Sequence, residues 1–230
     1  MKSDVFPLAV RAVVIDLDGT LLHTAPDLAE AAARMAQELA LPPIDLDTVK
    51  TYIGNGVSRL VKRVLTRDMD AEPDPDLFAR ALPVYEKHYL QGVSAQSRPF
   101  PGVVDGLQAM KQSGFRLACI TNKAEKFTVP LLKDTALFDY FELILSGDSL
   151  PKKKPDPLPL LHACEHFGID SAHGVLVGDS SNDVQAARAA GMPVICVTYG
   201  YNHGHDIRQS LPDAVVDSLT DVPQYLRLDA

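Results

Sequence analysis

The stretch Val13-Val14-Ile15-Asp16-Leu17-Asp18-Gly19-Thr20 runs β-branched apolar residues into two carboxylates two positions apart, then a Gly-Thr turn. A short run that is apolar at every position reads as a strand covered on both faces of a parallel sheet. Residues i and i+2 of a strand point the same way, so Asp16 and Asp18 leave the strand end on one side. In an open parallel sheet that end is the carboxyl edge, where ligands bind. Two carboxylates so close repel each other unless a cation lies between them, and hard oxygen donors of this kind suit Mg2+. On these eight residues alone, a solvated turn with capping aspartates remains the alternative.

The same kind of apolar run recurs along the chain. Ala9 to Ile15, Arg116 to Ile120, Phe141 to Leu145, Val175 to Val177 and Pro193 to Thr198 are expected strands. Val104 to Gln112, Glu125 to Thr135, Leu158 to Phe167 and Asp183 to Ala190 carry helical patterns, and Gly114, Gly168 and Gly191 follow three of them as stop signals. The alternation predicts an α/β fold, a doubly wound and mostly parallel sheet with a Rossmann-like core. One segment breaks the rhythm. Residues 24–98 read as helix punctuated by Pro42-Pro43, Gly54-Asn55-Gly56 and Pro73-Asp74-Pro75, far more chain than a crossover needs. The expected organisation is an α/β core formed by 1–23 and 99–230, with a small helical domain inserted over 24–98. The end of the chain after Val216 is expected to form a short final helix.

With 230 residues, 46% hydrophobic, the chain can bury a sizeable core. Its net charge of −8 argues against nucleic acid or an anionic membrane surface as partner. Cys119, Cys164 and Cys196 are far apart with no CxxC spacing, and Cys119 and Cys196, which lie in apolar runs, read as buried reduced thiols. No apolar run approaches the roughly 18 residues of a membrane span, and the N-terminal stretch has no signal-peptide pattern. A cytoplasmic protein, monomer or homodimer, is expected.

Later strand ends reinforce the first. Ile120-Thr121-Asn122 ends a strand in a hydroxyl and an amide. Lys152-Lys153-Lys154-Pro155 follows the next strand region with a basic cluster. Val177-Gly178-Asp179-Ser180-Ser181-Asn182-Asp183 ends another strand in a carboxylate, with a second four residues on at a helix start. Strand ends of a doubly wound sheet converge, so these groups are expected to meet in one site.

In this order the motifs resemble those of the haloacid dehalogenase-like hydrolases, along essentially the whole chain. Residues 24–98 look like the small cap domain that family inserts after its first motif. The resemblance implies a Mg2+-dependent phosphohydrolase working through an aspartyl-phosphate. By it, Asp16 is the nucleophile and a metal ligand, and Asp18 is the general acid and then base, its backbone carbonyl also on the metal. Thr121, Lys154 and Asn122 face the phosphoryl group, Lys154 being chosen over Lys152 and Lys153 because it directly precedes Pro155. Asp179 completes the metal ligands, and Asp183 supports the metal or orients Lys154. Asp156 and Asn182 are assigned to helix capping. Members that cleave C–halogen or C–P bonds lack an acid at the position of Asp18, so its presence implies a C–O–P ester.

Thr24-Ala25-Pro26-Asp27-Leu28, Ile53-Gly54-Asn55-Gly56-Val57-Ser58-Arg59-Leu60-Val61 and Val197-Thr198-Tyr199-Gly200-Tyr201-Asn202-His203-Gly204 look most like the bacterial phosphoglycolate phosphatases. That likeness implies a small phosphorylated organic acid as substrate, its carboxylate held by Asn55, Gly56 or Arg59. Lys62 and Arg63 read as a solvated basic face. A sugar or amino-sugar phosphate phosphatase, a β-phosphoglucomutase-like phosphomutase and a non-catalytic phospho-acceptor are the alternatives. His23, where many relatives carry Asp, reads as a hinge-packing or surface residue. His203 and His205 read as a closing loop rather than metal ligands.

Overall fold

A computed structural model describes residues 6–229; positions 1–5 and 230, which the sequence assigns to the core domain, lie outside the described residues. Six parallel strands form the main sheet in the order β6-β5-β2-β7-β8-β9. They are β2 (Ala12–Ile15), β5 (Arg116–Ile120), β6 (Leu143–Leu145), β7 (Gly174–Gly178), β8 (Val194–Val197) and β9 (Ala214–Val216). All four residues of β2 are buried, and β2 pairs with β5 on one side and β7 on the other.

Side-chain alternation sorts the strands into two layers. Val13, Ile15, Leu117, Cys119, Val175 and Val177 share one core with α5 (Val103–Gln112) and α6 (Glu125–Asp134). Val14, Ala118, Ile120, Leu176 and Cys196 share the other with α7 (Leu158–Phe167) and α8 (Ser181–Ala190). Both faces are therefore covered, which is why the strands read as continuous apolar runs. The chain winds from β2 outward through β5 to β6, then returns to start the other half at β7. That reversal puts a crevice at the carboxyl ends of β5, β2 and β7. The three cysteines are buried and unpaired.

Between β3 (Leu22–His23) and β4 (Arg98–Pro99) the chain makes four helices: α1 (Ala25–Glu38), α2 (Leu46–Tyr52), α3 (Val57–Thr66) and α4 (Pro75–Gln91). β3 and β4 pair antiparallel, so the outgoing and returning passages run side by side. Asp45 accepts from Thr48 N to start α2; Asp74 accepts from Leu77 N, with Pro75 at the first helical position, to start α4. α1 packs against α2 and α4, and α3 against α4. Asp27, buried in the first turn of α1, accepts hydrogen bonds from Gln96 N, Ser97 N and Ser97 Oγ and so fastens the return passage to the outgoing one.

Two expectations are corrected. The run Ala9 to Ile15 is not one strand: it divides at exposed Arg11, whose N–H donates to His173 O and whose carbonyl accepts from Arg116 N. The preceding piece, β1 (Leu8–Val10), pairs in parallel with β10 (Leu226–Leu228) as a separate two-stranded sheet. Accordingly the end of the chain is not a helix alone but a 3-10 turn over Leu219–Tyr225 followed by β10. Pro223 withholds the N–H donor an α-helix would need, and a three-residue strand is too short to show a period. Among the described residues no helix is long and apolar enough to cross a membrane.

Candidate active site

β2, β5 and β7 end at one level, so the residues that follow them meet. Asp16 follows β2 and donates its N–H to Val177 O; Thr121 follows β5; Asp179 follows β7. Lys154 reaches in from the loop after β6. Its Nζ lies 2.7 Å from Asp16 Oδ1 and 2.7 Å from Asp183 Oδ1. Asp183 is fixed from its other side: Oδ2 accepts from Ser180 Oγ (2.7 Å), Ser180 N (3.1 Å) and Asp179 N (3.3 Å), a reciprocal capping of α8 by Ser180 and Asp183. Asp183 thus accepts from Lys154 on one oxygen and is anchored to the start of α8 by the other. Asp16 Oδ2 takes no protein donor among the described residues and is left for the cavity that Asp16 lines.

Asp179 is pinned by Thr20 Oγ1 at 3.1 Å on Oδ1 and by Tyr201 N at 2.7 Å on Oδ2. Backbone packs tightly around it. Gly19 adopts φ +89°, and a Cβ there would press on the Asp179 carboxylate; a Cβ at Gly200 would collide with Asp179 Cβ. Asp18 Oδ1 accepts from Thr24 Oγ1 at 2.6 Å and lies 3.0 Å from Lys123 Nζ.

Burial dominates the electrostatics. Together with repulsion from Asp183 and Asp18 it outweighs the attraction of Lys154 and pushes Asp16 up to about 7. Burial, with Asp16 and Asp183, also raises Asp179 well above the ordinary carboxylate value. Burial alone would lower the Lys154 pKa, but Asp16 and Asp183 beside it hold it above the usual lysine value. Four carboxylates and two ammonium groups line the cavity, leaving two negative charges when all are ionised. Oxygens of Asp16, Asp179 and Asp183 lie within 4.8 Å of one another. This all-oxygen donor set with excess negative charge fits a hard divalent cation.

The helical segment closes the cavity opposite the sheet edge. Leu28, Ile53, Val57 and Leu60 supply an apolar wall over the polar floor. The loop before α3 is tied down by its backbone: Gly54 O accepts from Asn122 Nδ2 (2.9 Å), and Asn55 O accepts from Lys153 Nζ (2.8 Å). A Cβ at Gly56 would press on Asn122 O, so this loop needs glycine to come so close.

Of the sequence-assigned residues, the structure brings Asp16, Asp18, Thr121, Asn122, Lys154, Asp179, Asp183 and Gly56 to one cavity. Arg59 is not brought there. Val57 and Leu60 take the inward face of α3, which turns Arg59 outward; its guanidinium donates to Glu72 Oε1 (2.8 Å) and Met69 O (2.7 Å). Asn55 bonds Asn182 Oδ1 through Nδ2 and is not part of the lining. Arg63 is buried rather than solvated, donating to Tyr52 O and Met69 O. Asn182 does not cap α8, because Ser180 does; it lines the cavity instead. Asp156 accepts from Leu158 N at the start of α7. His23 Nδ1 contacts Tyr201 Oη at 3.0 Å and its ring packs on Phe100; His203 Nδ1 donates to Thr51 O.

Lys123 and Tyr201 line the cavity without having been singled out in the sequence. Lys123 had a signal: it stands two residues beyond Thr121, the same spacing that relates Asp18 to Asp16. Tyr201 Oη accepts from Thr24 N and Ala25 N, a contact between segments about 180 residues apart that no local pattern announces.

Residues 13–197 match the family model described as haloacid dehalogenase-like hydrolase. A Thiobacillus denitrificans protein named phosphoglycolate phosphatase is 68% identical over 221 residues, covering 96% of each chain. One of the same name from Nitrosospira multiformis is 56% identical, covering 96% of this chain and 98% of its own. A crystal structure from Haemophilus somnus, described as a predicted phosphoglycolate phosphatase, superposes with a TM-score of 0.88 at 35% identity, covering 93% of this chain and 96% of that one.

The packing around Asp179 is testable through its glycine. Gly200→Ala is expected to lower the unfolding free energy by about 1–3 kcal/mol in urea titration. Gly92→Ala, whose Cβ would meet Ala95 Cβ at an ordinary 3.8 Å, serves as control. Equal stability of the two variants would contradict the packing described.

Proposed function

The chain belongs to the haloacid dehalogenase-like hydrolases, and we propose that it is a Mg2+-dependent phosphatase that hydrolyses 2-phosphoglycolate to glycolate and phosphate. The observation that carries the chemistry is the buried Asp16–Lys154–Asp183 array beside Asp179 and Asp18. The substrate rests on the near-full-length relatives that bear the phosphoglycolate phosphatase name.

Asp16 Oδ2 attacks phosphorus, the bond from phosphorus to the glycolate oxygen breaks, and an aspartyl-phosphate forms on Asp16. Asp18 gives its proton to the departing alkoxide, then takes one from the water that attacks phosphorus and releases phosphate. Lys154 and Thr121 stabilise the charge on the phosphoryl oxygens, and Lys154 also keeps Asp16 aimed. Asp16, the Asp18 backbone carbonyl and Asp179 would hold Mg2+, which when bound neutralises the phosphoryl oxygens. The segment 24–98 acts as a cap whose apolar wall excludes bulk water.

A substrate panel tests this reading. The kcat/KM on 2-phosphoglycolate is expected to exceed that on amino-sugar phosphates and glucose 1-phosphate, and activity is expected to vanish in EDTA. Equal rates across the panel would refute the substrate, and undiminished activity in EDTA would refute the metal.

Thermal melting tests the metal site separately. The unfolded chain loses the Asp16 proton near 3.8, whereas the folded chain keeps it to about 7. Without metal, this group's contribution to stability therefore declines as pH rises from about 4 to about 7. A cation displaces that proton, so the rise in Tm on adding Mg2+ is expected to be larger at pH 7.5 than at pH 5.5. A Mg2+ effect independent of pH would contradict this assignment.

A further inference from the structure

We propose that Lys123 receives the carboxylate of the substrate and is the residue that selects for a carboxylated leaving group. This deepens the 2-phosphoglycolate reading and rests on it.

A carboxylate that enters this cavity needs a cation, because leaving it unpaired against Leu28, Ile53, Val57 and Leu60 would be strongly unfavourable. The lining holds two, Lys154 and Lys123. Lys154 is engaged at 2.7 Å by both Asp16 and Asp183 on the phosphoryl side. The arginines of α3 are turned away to Glu72, Tyr52 O and Met69 O. Lys153 is exposed, donates to Asn55 O and is not part of the lining.

Lys123 is placed for the task. It is 4% exposed, and its Nζ lies 2.7 Å from Tyr89 Oη and over the Tyr89 ring, 4.8 Å from the centroid. Its backbone is fixed as well: N donates to Thr121 Oγ1, and O accepts from Gly147 N. Of its three N–H donors, one serves Tyr89 and the ion pair with Asp18 at 3.0 Å takes another, so a donor remains for an anion. Asp18 must reach the bridging oxygen of the ester to protonate it. In 2-phosphoglycolate the carboxylate sits one methylene beyond that oxygen, so a group in contact with Asp18 is within reach of it. The Tyr89 hydroxyl, from α4, holds the ammonium beside Asp18, the group that would protonate the leaving oxygen.

The test compares 2-phosphoglycolate with ethyl phosphate, which has the same length but no carboxylate, in the wild type, Lys123→Met and Lys123→Arg. The readout is the ratio of the two kcat/KM values, in which any loss acting through Asp18 on both substrates cancels. In Lys123→Met the ratio is expected to fall roughly 10- to 100-fold, through KM for 2-phosphoglycolate, the range of a buried charge-assisted hydrogen bond. Lys123→Arg is expected to retain part of the preference. If Lys123→Met proves unstable by thermal melting, Tyr89→Phe, which frees the ammonium from its anchor, is expected to lower the same ratio by a smaller factor. An unchanged ratio in the soluble variants overturns the assignment while leaving the substrate reading intact. A wild type with no preference for 2-phosphoglycolate overturns the substrate reading and this assignment with it.

Discussion

One ammonium group organises this site. Lys154 Nζ sits between Asp16 and Asp183, 2.7 Å from each, with all three side chains withdrawn from water. The arrangement depends on the ammonium: removing it leaves two buried carboxylates with no cation between them, where breaking even a single buried pair costs about 3–5 kcal/mol. It also joins three parts of the chain, the end of β2, the loop after β6 and the first turn of α8. Asp183 is held in turn by Ser180 and the backbone of Asp179, so the hydrogen bonds that start α8 also set the position of the lysine.

The sheet makes that convergence possible. Strand order reverses beside β2, opening the edge where Asp16, Thr121 and Asp179 emerge, and both faces are already covered by helices. What remains is to close the edge from above, which the helical segment does through the backbone carbonyls of Gly54 and Asn55, accepting from Asn122 and Lys153, and through Tyr89 on Lys123. The two lysines of the cavity differ in this respect: among the described residues Lys154 Nζ is held by Asp16 and Asp183 alone, whereas Lys123 also meets the helical segment through Tyr89 Oη.

The reach of the sequence follows the range of the interactions. Asp16, Thr121, Lys154 and Asp179 were legible because each stands at the end of an apolar, largely buried strand or beside a fixed neighbour, Pro155. The direction of Arg59 was not: the Gly-Asn-Gly loop marks where α3 begins, but only packing decides that Val57 and Leu60 face inward. Asn182 looked like a cap because it stands at a helix start, yet Ser180 two residues earlier outcompeted it. The pairing of Leu8–Val10 with Leu226–Leu228 joins the two ends of the chain and leaves no local signal. Lys123 is within reach of the spacing rule applied to Asp18, since it stands two residues beyond Thr121, but nothing local announces its burial against Tyr89.

The central claim is that Asp16 takes the phosphoryl group itself. Rapid acid quenching during turnover of radiolabelled substrate, followed by peptide mapping, reads this directly. The account predicts phosphate bound covalently to the peptide containing Asp16 and absent from Asp16→Asn. Turnover with no protein-bound label, or labelling that survives in Asp16→Asn, would contradict it.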